Sequence, residues 1–396
     1  MDSVFSYASV VTGKGFLGRK KDVNILSNLI AQRENIALIS GPKGGKNSLI
    51  QQVFLQMRLE KKVFDAVEVD LRDVRDEVTF LRRLGDAVIR QYAATPGEFR
   101  DLISTQLGGT HFIFDQRSFS EDGCLLALNW DPDEKDTRAI LNLPYALSRI
   151  RERRLIVILR EFQNLRFIDN WERLFKRMED TVKEQRSFLE EPQFSYIFTG
   201  SQLNAMKDIF EHRRFFHRLC EVHYPSPIEE NEITEHIVRG FLAGGKVVDR
   251  EMLKGAISLM RGNLHYINHF FAICDHLSKG YIMEPVLIEA LDNLISIHEP
   301  RFEAMVYDLT NYQIALLRAI TDGHTKFSSA EVIRSYGLNS SANVKRLKDA
   351  LSKKEIISFD EGDEPSFIDP LFEYGSKNIF SGKSLTFSFF CYLCSR

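Results

Sequence analysis

With 396 residues, the chain is too long for one ordinary hydrophobic core and predicts two or three domains. Hydrophobic residues make up 44% and charged residues 27% of the chain, which excludes a largely disordered, collagen-like or low-complexity protein. The 52 basic and 55 acidic residues leave a net charge of −3. No overall field therefore attracts a polyanion, and any contact with nucleic acid requires a local basic patch.

The cysteines and the apolar segments bear on the compartment. Five cysteines, an odd number scattered along the chain, are typical of reduced thiols rather than of a disulfide framework. The N-terminal residues lack the apolar core of a signal peptide. The most apolar run, residues 385–394, has about half of the roughly 20 residues that span a bilayer. We therefore expect a cytoplasmic protein without a membrane segment.

Short apolar runs alternate with amphipathic segments over the first 228 residues. Strands separated by helices predict parallel βαβ units and an open sheet with helices on both faces. Between residues 100 and 150 the pattern is weakest, and 112–114 and 125–128 are predicted as strands of an insertion. The sheet strands are predicted at 35–40, 66–71, 155–159, 194–198 and 221–224, and the helices at 47–60, 74–91 and 171–186.

Beyond Pro225-Ser-Pro227 the strand pattern stops, and apolar residues recur at three and four positions, which predicts helices. From Thr310 three shorter helices follow, the second opened by a capping box at Ser328 to Glu331, and then a hairpin at 356–368. Three helices and a hairpin are typical of a winged helix. The longer helices are predicted at 232–242, 250–260, 263–277 and 285–298, and the first and third short ones at 313–321 and 340–351.

A glycine-rich turn separates the first predicted strand from its helix. It reads Ser40-Gly41-Pro42-Lys43-Gly44-Gly45-Lys46-Asn47-Ser48. This nearly fits a phosphate loop, in which backbone N–H groups hold phosphate, a lysine neutralises it and a hydroxyl binds Mg²⁺. Either Ser40 takes the place of the first glycine, or Gly41 fills it and the loop is one residue short. Asn47 stands at the hydroxyl position and Ser48 follows it, rotated by about 100° around the helix. The alternative interpretation is an ordinary strand-to-helix turn with a surface lysine.

The strand at 155–159 is followed by Arg160 and Glu161, where a phosphate-loop ATPase needs an acidic pair. The first acid of such a pair holds Mg²⁺ through water, and the second polarises the attacking water. Arg160 cannot coordinate a cation; its charge either offsets phosphate charge or marks the end of a strand in a decayed site. Since Asn47 also departs from the pattern, the sequence predicts weak or absent hydrolysis.

In this order the motifs resemble the archaeal-type ATPases of the STAND/AAA-like P-loop class, which are abundant as bacterial ATP-binding proteins. The resemblance implies an α/β fold, a P-loop NTPase domain with a parallel sheet flanked by helices, followed by a helical lid and a C-terminal winged helix. It is carried by Phe16-Leu-Gly-Arg19 with Asp22, the phosphate loop, Leu141-Asn-Leu-Pro144, Arg160-Glu-Phe-Gln163, Phe198-Thr-Gly-Ser-Gln202, Phe210-Glu-His-Arg213, Phe216-His-Arg218, Gly262-Asn-Leu-His265, Tyr312-Gln313 and Asp369-Pro-Leu-Phe372.

The resemblance also implies a role for each matching residue. In that family the lid and winged helix close over nucleotide, and the exchange of ATP for ADP switches partner contacts. The implied nucleotide-binding residues are Gly18 and Arg19 beside the adenine, Gly41, Pro42, Lys43, Gly44 and Gly45 around the phosphates, Lys46 as their counter-charge, and Asn47 or Ser48 toward any Mg²⁺. The implied catalytic residues are Glu161 to polarise water, Ser201 or Gln202 to sense the γ-phosphate, and Arg218 to report it.

Three weaker patterns have ordinary alternatives. A basic cluster lies on and after the third helix of the winged helix, which a DNA-binding version lays in the major groove, but a solvated basic face is equally natural. His265 and His269 have metal-like spacing without a third ligand, which favours a pair in the lid core. Cys391 and Cys394 have no second pair nearby, and residues 385–389 alternate as in an added strand or an exposed tail. The basic cluster consists of Lys345, Arg346, Lys348, Lys353 and Lys354.

The sequence therefore predicts a P-loop domain over residues 1–228 with an insertion at about 95–150, a lid over 229–308, a winged helix over 309–374 and a tail over 375–396. The predicted function is a switch that binds ATP or ADP, depends little on Mg²⁺ and acts on an unidentified protein partner. One alternative is a nucleotide-free pseudo-ATPase scaffold for protein partners. The other is a winged-helix regulator that binds DNA.

Overall fold

The computed structural model describes residues 4–188, 193–359 and 363–381. The chain divides into two compact units, each with a hydrophobic core of its own. The sheet unit comprises Lys21–Ser40 and Val53–Pro225. The helical unit comprises Met1–Lys20, Gly41–Gln52 and Ser226–Arg396, so it draws together three segments that are far apart in sequence.

Parallel strands organise the sheet unit. Its strands are β1 (Asn35–Leu38), β2 (Phe64–Asp70), β3 (Phe112–Phe114), β4 (Leu126–Leu128), β5 (Arg154–Arg160), β6 (Phe194–Thr199) and β7 (Cys220–His223). Five of them form a parallel sheet in the order β2-β5-β6-β1-β7, and β3 pairs with β4 antiparallel. β1 and β6 are buried along their whole length, as is typical of parallel strands covered on both faces. The predicted parallel sheet is confirmed.

Eight helices lie in the first 225 residues of the described chain: α1 (Lys20–Ala31), α2 (Lys46–Leu59), α3 (Glu77–Tyr92), α4 (Pro96–Gln106), α5 (Gln116–Asp122), α6 (Glu134–Ile150), α7 (Trp171–Phe188) and α8 (Leu203–Lys207). The strands predicted at 112–114 and 125–128 are confirmed as β3 and β4, and the structure adds α4, α5 and α6, which the sequence does not predict. Capping boxes at Thr95 and Asp133 open α4 and α6. Pro144 inside α6 interrupts the helical pattern, which is why the sequence conceals this helix.

The helical unit continues with α9 (Glu230–Ala243), β8 (Val247–Val248), α10 (Arg250–Leu259), α11 (Leu264–Leu277), β9 (Tyr281–Ile282) and α12 (Glu284–Tyr307). The short parallel pair β8–β9 corrects the expectation that strands end before residue 229. α12 runs past the predicted end at 298 and contains Pro300. Proline removes one helical hydrogen bond, yet burial of Phe302 against Phe372 keeps the last turns packed.

The last elements are α13 (Asn311–Thr321), α14 (Ala330–Tyr336), α15 (Ser341–Lys353), β10 (Ile357–Phe359), β11 (Pro365–Phe367) and α16 (Pro370–Ser381). β10 and β11 form the predicted antiparallel hairpin. The side chain of Ser329, rather than that of Ser328, caps α14 by accepting from the Val332 N–H. The predicted capping box of Ser328 and Glu331 is therefore wrong, because the third residue of the helix is Val332, whose side chain cannot accept a hydrogen bond. A capping box does occur at Thr310 and Gln313, at the start of α13.

The N-terminal segment belongs to the core of the helical unit. Phe5 is 2% exposed and packs against Phe241 and Phe271 at centroid distances of 4.9 and 6.1 Å. A Cβ on Gly240 would lie 2.6 Å from the Phe5 ring, so the absence of a side chain at residue 240 makes room for this contact. The segment around Phe5 is thus packed against helices that lie more than two hundred residues away in sequence.

The predictions about cysteines, membrane segments and the C-terminal tail can be compared with the described residues only. Cys124, Cys220 and Cys274 are free thiols in the described residues. No helix of the part that the structure describes combines the length and the apolar character needed to span a bilayer. The predicted tail strand and the Cys391/Cys394 pair lie outside the described residues.

Candidate functional site

The phosphate loop is a tight turn between β1 and α2. Gly45 has φ +78° and Lys43 has φ +57°. Glycine adopts this left-handed conformation freely, whereas a residue with a side chain does so at a cost of about 1–2 kcal/mol. α2 begins at Lys46, and the Leu49 N–H donates to the Gly45 carbonyl at 3.0 Å. The N–H groups ahead of that bond lack helical partners and, together with the helix dipole, favour an anion at this end.

Two cations lie on the loop. The Lys46 Nζ donates to the Gly41 carbonyl at 2.9 Å, so the ammonium folds back over the turn. Arg19 Nη1 donates to the Gly44 carbonyl at 2.7 Å and its Nε to the Ser226 carbonyl at 3.0 Å. The sequence resemblance implies a place for Arg19 beside the adenine, and the structure shows that Arg19 also contacts the phosphate loop directly.

Gly18 has the backbone conformation that places Arg19 against the phosphate loop. Its φ is +64°, and a Cβ would lie 2.8 Å from Ile228 and 2.9 Å from Glu232. Both the backbone angle and the crowding require glycine. Gly18 therefore acts on the loop through the position of its neighbour.

Asn47 and Ser48, the two candidates for Mg²⁺, lie in the first turn of α2. The Ser48 Oγ accepts from the Val11 N–H at 3.1 Å, and one turn later Gln52 Oε1 accepts from the Gly13 N–H at 2.7 Å. The serine hydroxyl therefore holds the N-terminal segment by a hydrogen bond. Mg²⁺ is usually bound through one or two carboxylates together with phosphates and waters. At the position where a phosphate loop offers a hydroxyl to Mg²⁺, this chain offers the amide of Asn47, and the Ser48 hydroxyl already accepts a hydrogen bond.

Within the sheet unit, Arg160 ends β5 in register with Asp70 of β2. Its Nη1 lies 3.3 Å from Glu68 Oε2 on the neighbouring strand. Arg72 holds the pKa of Asp70 below its ordinary value by hydrogen bonding, and Arg160 adds to the effect. The two arginines balance two carboxylates, which favours the interpretation of Arg160 as a strand-end ion pair over that of a phosphate counter-charge.

Glu161 follows with a left-handed backbone, φ 56° and ψ 43°. Its Oε2 accepts from the Ser201 Oγ at 2.6 Å, the Ser201 N–H at 3.1 Å and the Gln163 Nε2 at 2.8 Å. Two of the predicted catalytic residues, Glu161 and Ser201, therefore meet in the sheet unit. The same contacts hold the carboxylate against the segment after β6.

Gly200 permits this close approach. A Cβ there would lie 2.2 Å from Gln163 Oε1 and 2.7 Å from Met206 Cγ. The other two predicted catalytic residues lie outside this hydrogen-bonded cluster: Gln202 is the N-cap residue of α8, and Arg218 is exposed in the turn before β7. The structure therefore brings together half of the predicted catalytic set.

A buried hydrogen bond between two distant residues escaped the sequence analysis. Asp22, in the first turn of α1, is fully buried, and His223 Nε2 lies 2.9 Å from its Oδ1. Asp22 was named through the family resemblance, but His223 carried no local signal, because the pair spans two hundred residues. The contact ties α1 to the end of β7 within the sheet unit.

Lys43 points away from the loop toward α11. Its Nζ lies 5.0 Å from the centroid of the Tyr266 ring. Tyr266 Oη and Arg301 Nη2 both donate to Asp369 Oδ2, at 2.8 and 2.6 Å. Burial lowers the pKa of Lys43, Arg301 lowers it further and Asp369 partly restores it. Sequence reasoning placed Lys43 and Asp369 in separate motifs and missed Tyr266 and Arg301, since this contact is tertiary.

The predicted histidine pair of the lid lies on α11. The His265 Nδ1–H donates to the Tyr7 carbonyl at 2.8 Å, and the His269 ring stacks on the Tyr7 ring at 4.0 Å. Burial, aided by Lys43, lowers the pKa of His265 to about 4. His269 is 8% exposed, which agrees with a place in the lid core.

One trio in the described residues has ligand atoms close enough for a metal: His111, Asp133 and Asp136. The two carboxylates are already used, because they form the capping box of α6 and Asp136 also accepts from the His111 N–H. This trio is therefore explained by helix capping.

The basic cluster of the winged helix is smaller than its sequence suggests. Lys348 is 13% exposed, pairs with Asp363 and lies over the rings of Phe327 and Phe359. This lysine supports the hairpin. The side chains that remain exposed are Lys345, Arg346, Lys353 and Lys354.

Comparison with known proteins defines the fold class. Residues 300–375 match the family described as a probable winged helix domain, which confirms the predicted winged helix. A Walker-type ATPase of Pyrococcus abyssi aligns with a TM-score of 0.65 at 16% identity over 94% of this chain and 99% of that protein. None of the curated proteins is significantly similar in sequence.

The ORC2 protein of Aeropyrum pernix has the same fold. Its ADP form aligns with a TM-score of 0.54 at 11% identity over 96% of this chain and 97% of that protein. Its ADPNP–ADP complexes align with a TM-score of 0.53, again at 11% identity, over 93% and 97% of the two chains. The chain thus has the α/β fold of archaeal Walker-type and ORC ATPases, with a C-terminal winged helix, and the predicted resemblance is confirmed at the level of fold.

Proposed function

We propose that this protein binds ATP and ADP through its phosphate loop and acts as a nucleotide-dependent switch with weak or absent hydrolysis. The observation that carries the proposal is the loop itself: a turn with glycine at the left-handed position 45, followed directly by the N-terminus of α2, with the Lys46 ammonium folded over the turn. These features suit a polyphosphate. Arg19 adds a second positive charge on the Gly44 carbonyl.

The binding roles follow from these contacts. The loop N–H groups hold phosphate oxygens, Lys46 supplies the counter-charge, and Arg19 stabilises the loop conformation. In this proposal the lid (229–308) and winged helix (309–374) respond to nucleotide and change their contacts with a protein partner in the cytoplasm, which requires ATP and ADP to favour different conformations.

Weak hydrolysis follows from the missing first acid and from the departure at the hydroxyl position. Arg160 pairs with Glu68 where a magnesium-orienting carboxylate is required, and the Ser48 hydroxyl accepts from Val11. Much of the rate of phosphoryl transfer comes from metal and positioning. Glu161 remains as the group that would polarise water, but its carboxylate is held by Ser201.

Titration of the full chain with ATP and ADP, with and without Mg²⁺, tests the proposal. We expect Lys46→Ala to weaken ATP binding by at least about tenfold, or ~1.4 kcal/mol, because a phosphate counter-charge is lost. Lys326→Ala is the matched control, since Lys326 is exposed on the winged helix. Equal measurable affinity of the wild type and the Lys46 variant would contradict the role of Lys46 as phosphate counter-charge, and no binding by either protein would favour the nucleotide-free scaffold.

DNA binding is the second candidate function, favoured by the four exposed basic side chains of the winged helix. Phosphate contacts by lysine and arginine give an affinity that falls steeply with salt. A titration with double-stranded DNA over a salt series decides this point, and no binding at low salt excludes it.

A further inference from the structure

The N-terminal segment runs between two helices of the helical unit and forms neither helix nor strand over residues 5–12. At its start the Phe5 ring packs against Phe241 of α9 and Phe271 of α11. Polar backbone groups outside helices and sheets need partners elsewhere, so their hydrogen bonds show what holds such a segment in place. We call residues 5–13 the N-terminal strap. Like α11 and the first two turns of α2, the strap belongs to the helical unit.

One end of the strap lies on α11. Asn268 Nδ2 donates to the Ser6 carbonyl at 2.8 Å, and the His265 Nδ1–H donates to the Tyr7 carbonyl at 2.8 Å. The His269 ring stacks on the Tyr7 ring at a centroid distance of 4.0 Å and an interplanar angle of 10°. Residues 268 and 269 follow residue 265 by three and four positions, so one face of α11 makes all three contacts.

The other end of the strap lies on α2. The Val11 N–H donates to Ser48 Oγ at 3.1 Å, and the Gly13 N–H donates to Gln52 Oε1 at 2.7 Å. Ser48 and Gln52 are four positions apart and so lie on one face of this helix. Because α2 begins at Lys46, the strap is attached to the two helical turns that directly follow the phosphate loop.

The strap is short between its two ends. Val11 follows Tyr7 by four positions, and a fully extended chain of that length spans at most about 14 Å. The chain bends at Ala8 and Ser9, so the span is shorter than this limit. A larger separation of α11 from α2 would therefore have to break the contacts at one end. The side chains of residues 8–10 are exposed, so added residues can be accommodated there.

From these contacts we infer that the N-terminal strap couples α11 of the lid to α2, because one short segment is attached to both helices. Displacement of either helix is transmitted to the other, and release of the strap from one helix lets the two move independently. This device goes beyond the proposed nucleotide binding and does not require it, since every contact that forms it lies within the chain. A ligand that shifts α2 and a partner that shifts α11 would influence each other's binding through the strap.

Hydrogen exchange of the full chain without nucleotide, followed by mass spectrometry, tests the coupling. Tyr7→Ala removes the ring stack at the α11 end, and the Tyr7 side chain is 38% exposed, so the hydrophobic core stays intact. We expect the amides of residues 49–53, at the α2 end, to exchange about two- to tenfold faster, because an aromatic pair stabilises by a corresponding amount. Tyr307→Ala, an 89% exposed position on α12, is the matched control and should leave these rates unchanged.

The converse variant tests the same coupling from α2, since coupling between two sites is reciprocal. Gln52→Ala removes the acceptor for the Gly13 N–H and should accelerate the exchange of residues 267–271 on α11. Thermal unfolding followed by circular dichroism reports whether each variant is folded.

A lengthened strap distinguishes transmission through the strap from transmission by another route. One other route exists, because the Lys43 ammonium of the phosphate loop lies over the Tyr266 ring of α11. Insertion of Gly-Ser-Gly between Ser9 and Val10 keeps every contact residue and adds slack. In this lengthened chain Tyr7→Ala should no longer change the exchange of residues 49–53.

The same insertion between Thr325 and Lys326, in the exposed turn before α14, is the control and should preserve the effect of Tyr7→Ala. The coupling is overturned if Tyr7→Ala leaves the exchange of residues 49–53 unchanged in the wild-type chain. It is overturned equally if Tyr7→Ala accelerates these amides as much in the lengthened chain, since the transmission then bypasses the strap. Neither result bears on nucleotide binding, which the titrations with ATP and ADP test separately.

Discussion

Acidification from pH 7.5 to pH 5 should destabilise the helical unit through its buried histidines. His265 and His298 have pKa values of about 4 in the folded chain, against an ordinary value of 6.5. The main cause is burial, and the Lys43 ammonium adds to it. Because the unfolded chain binds more protons between these two pKa values, the free energy of unfolding falls as the pH falls from 6.5 through 4.

The magnitude follows from the size of the pKa difference. At pH 5 a histidine with these two pKa values contributes a loss of about 2 kcal/mol. Partial exposure of the two rings screens the Lys43 charge, so about 1–2 kcal/mol for each histidine is the expected loss. Since a domain has only about 5–15 kcal/mol of stability, two such losses are large enough to measure.

Replacement of one histidine isolates its share. His298→Gln removes a titrating ring whose Nε2 makes no described hydrogen bond, so the loss of stability between pH 7.5 and pH 5 should shrink by about 1–2 kcal/mol. Denaturant unfolding followed by far-ultraviolet circular dichroism at each pH measures this. His217→Gln, an exposed position in the sheet unit, is the control and should retain the full loss. The reasoning fails if His298→Gln and the wild type lose the same stability.

Two further predictions concern the residues implied to bind Mg²⁺ and the glycine that follows β6. The wild type should release little phosphate from ATP, and its affinity for ATP should depend only weakly on Mg²⁺. The double variant Arg160→Asp with Asn47→Thr should raise the Mg²⁺ dependence of ATP binding, because it restores a carboxylate and a hydroxyl. Robust Mg²⁺-dependent phosphate release by the wild type would contradict this expectation. Gly200→Ala should lower the free energy of unfolding in urea by about 1–3 kcal/mol, because its Cβ would lie 2.2 Å from Gln163 Oε1. Gly97→Ala, whose Cβ meets nothing within 4 Å, should leave the unfolding midpoint unchanged or slightly raised, and equal midpoints for the two variants would refute the close contact.

The sheet could be predicted from sequence because burial on both faces leaves a strong local pattern. β1, β5 and β6 are buried and mostly apolar, and the sequence predicts each close to its observed position. The glycine-rich turn after β1 could also be predicted, because the left-handed backbone at position 45 favours glycine.

What could not be predicted depends on contacts between distant segments. α12 continues through Pro300 because Phe302 is buried against Phe372, and a local pattern ends the helix before the proline. The cluster around Asp369 joins residues from four segments, and no spacing along the chain reveals that Arg301 meets Lys43 and Tyr266 there. The hydrogen bond from Ser201 to Glu161 joins the ends of two neighbouring strands. Because the two residues are distant in sequence, only the structure reveals this contact.

The burial of Phe5 constrains the order in which the chain can fold during synthesis. Its partners Phe241 and Phe271 emerge from the ribosome more than two hundred residues later. At about 5–20 residues per second, this aromatic side chain waits on the order of 10–50 s for its binding surface. The sheet unit, which ends at Pro225, is fully synthesised before that surface exists. We therefore expect the nascent chain to carry a folded sheet unit while the segment around Phe5 is still exposed, so a chaperone that shields apolar segments has its longest access to that segment.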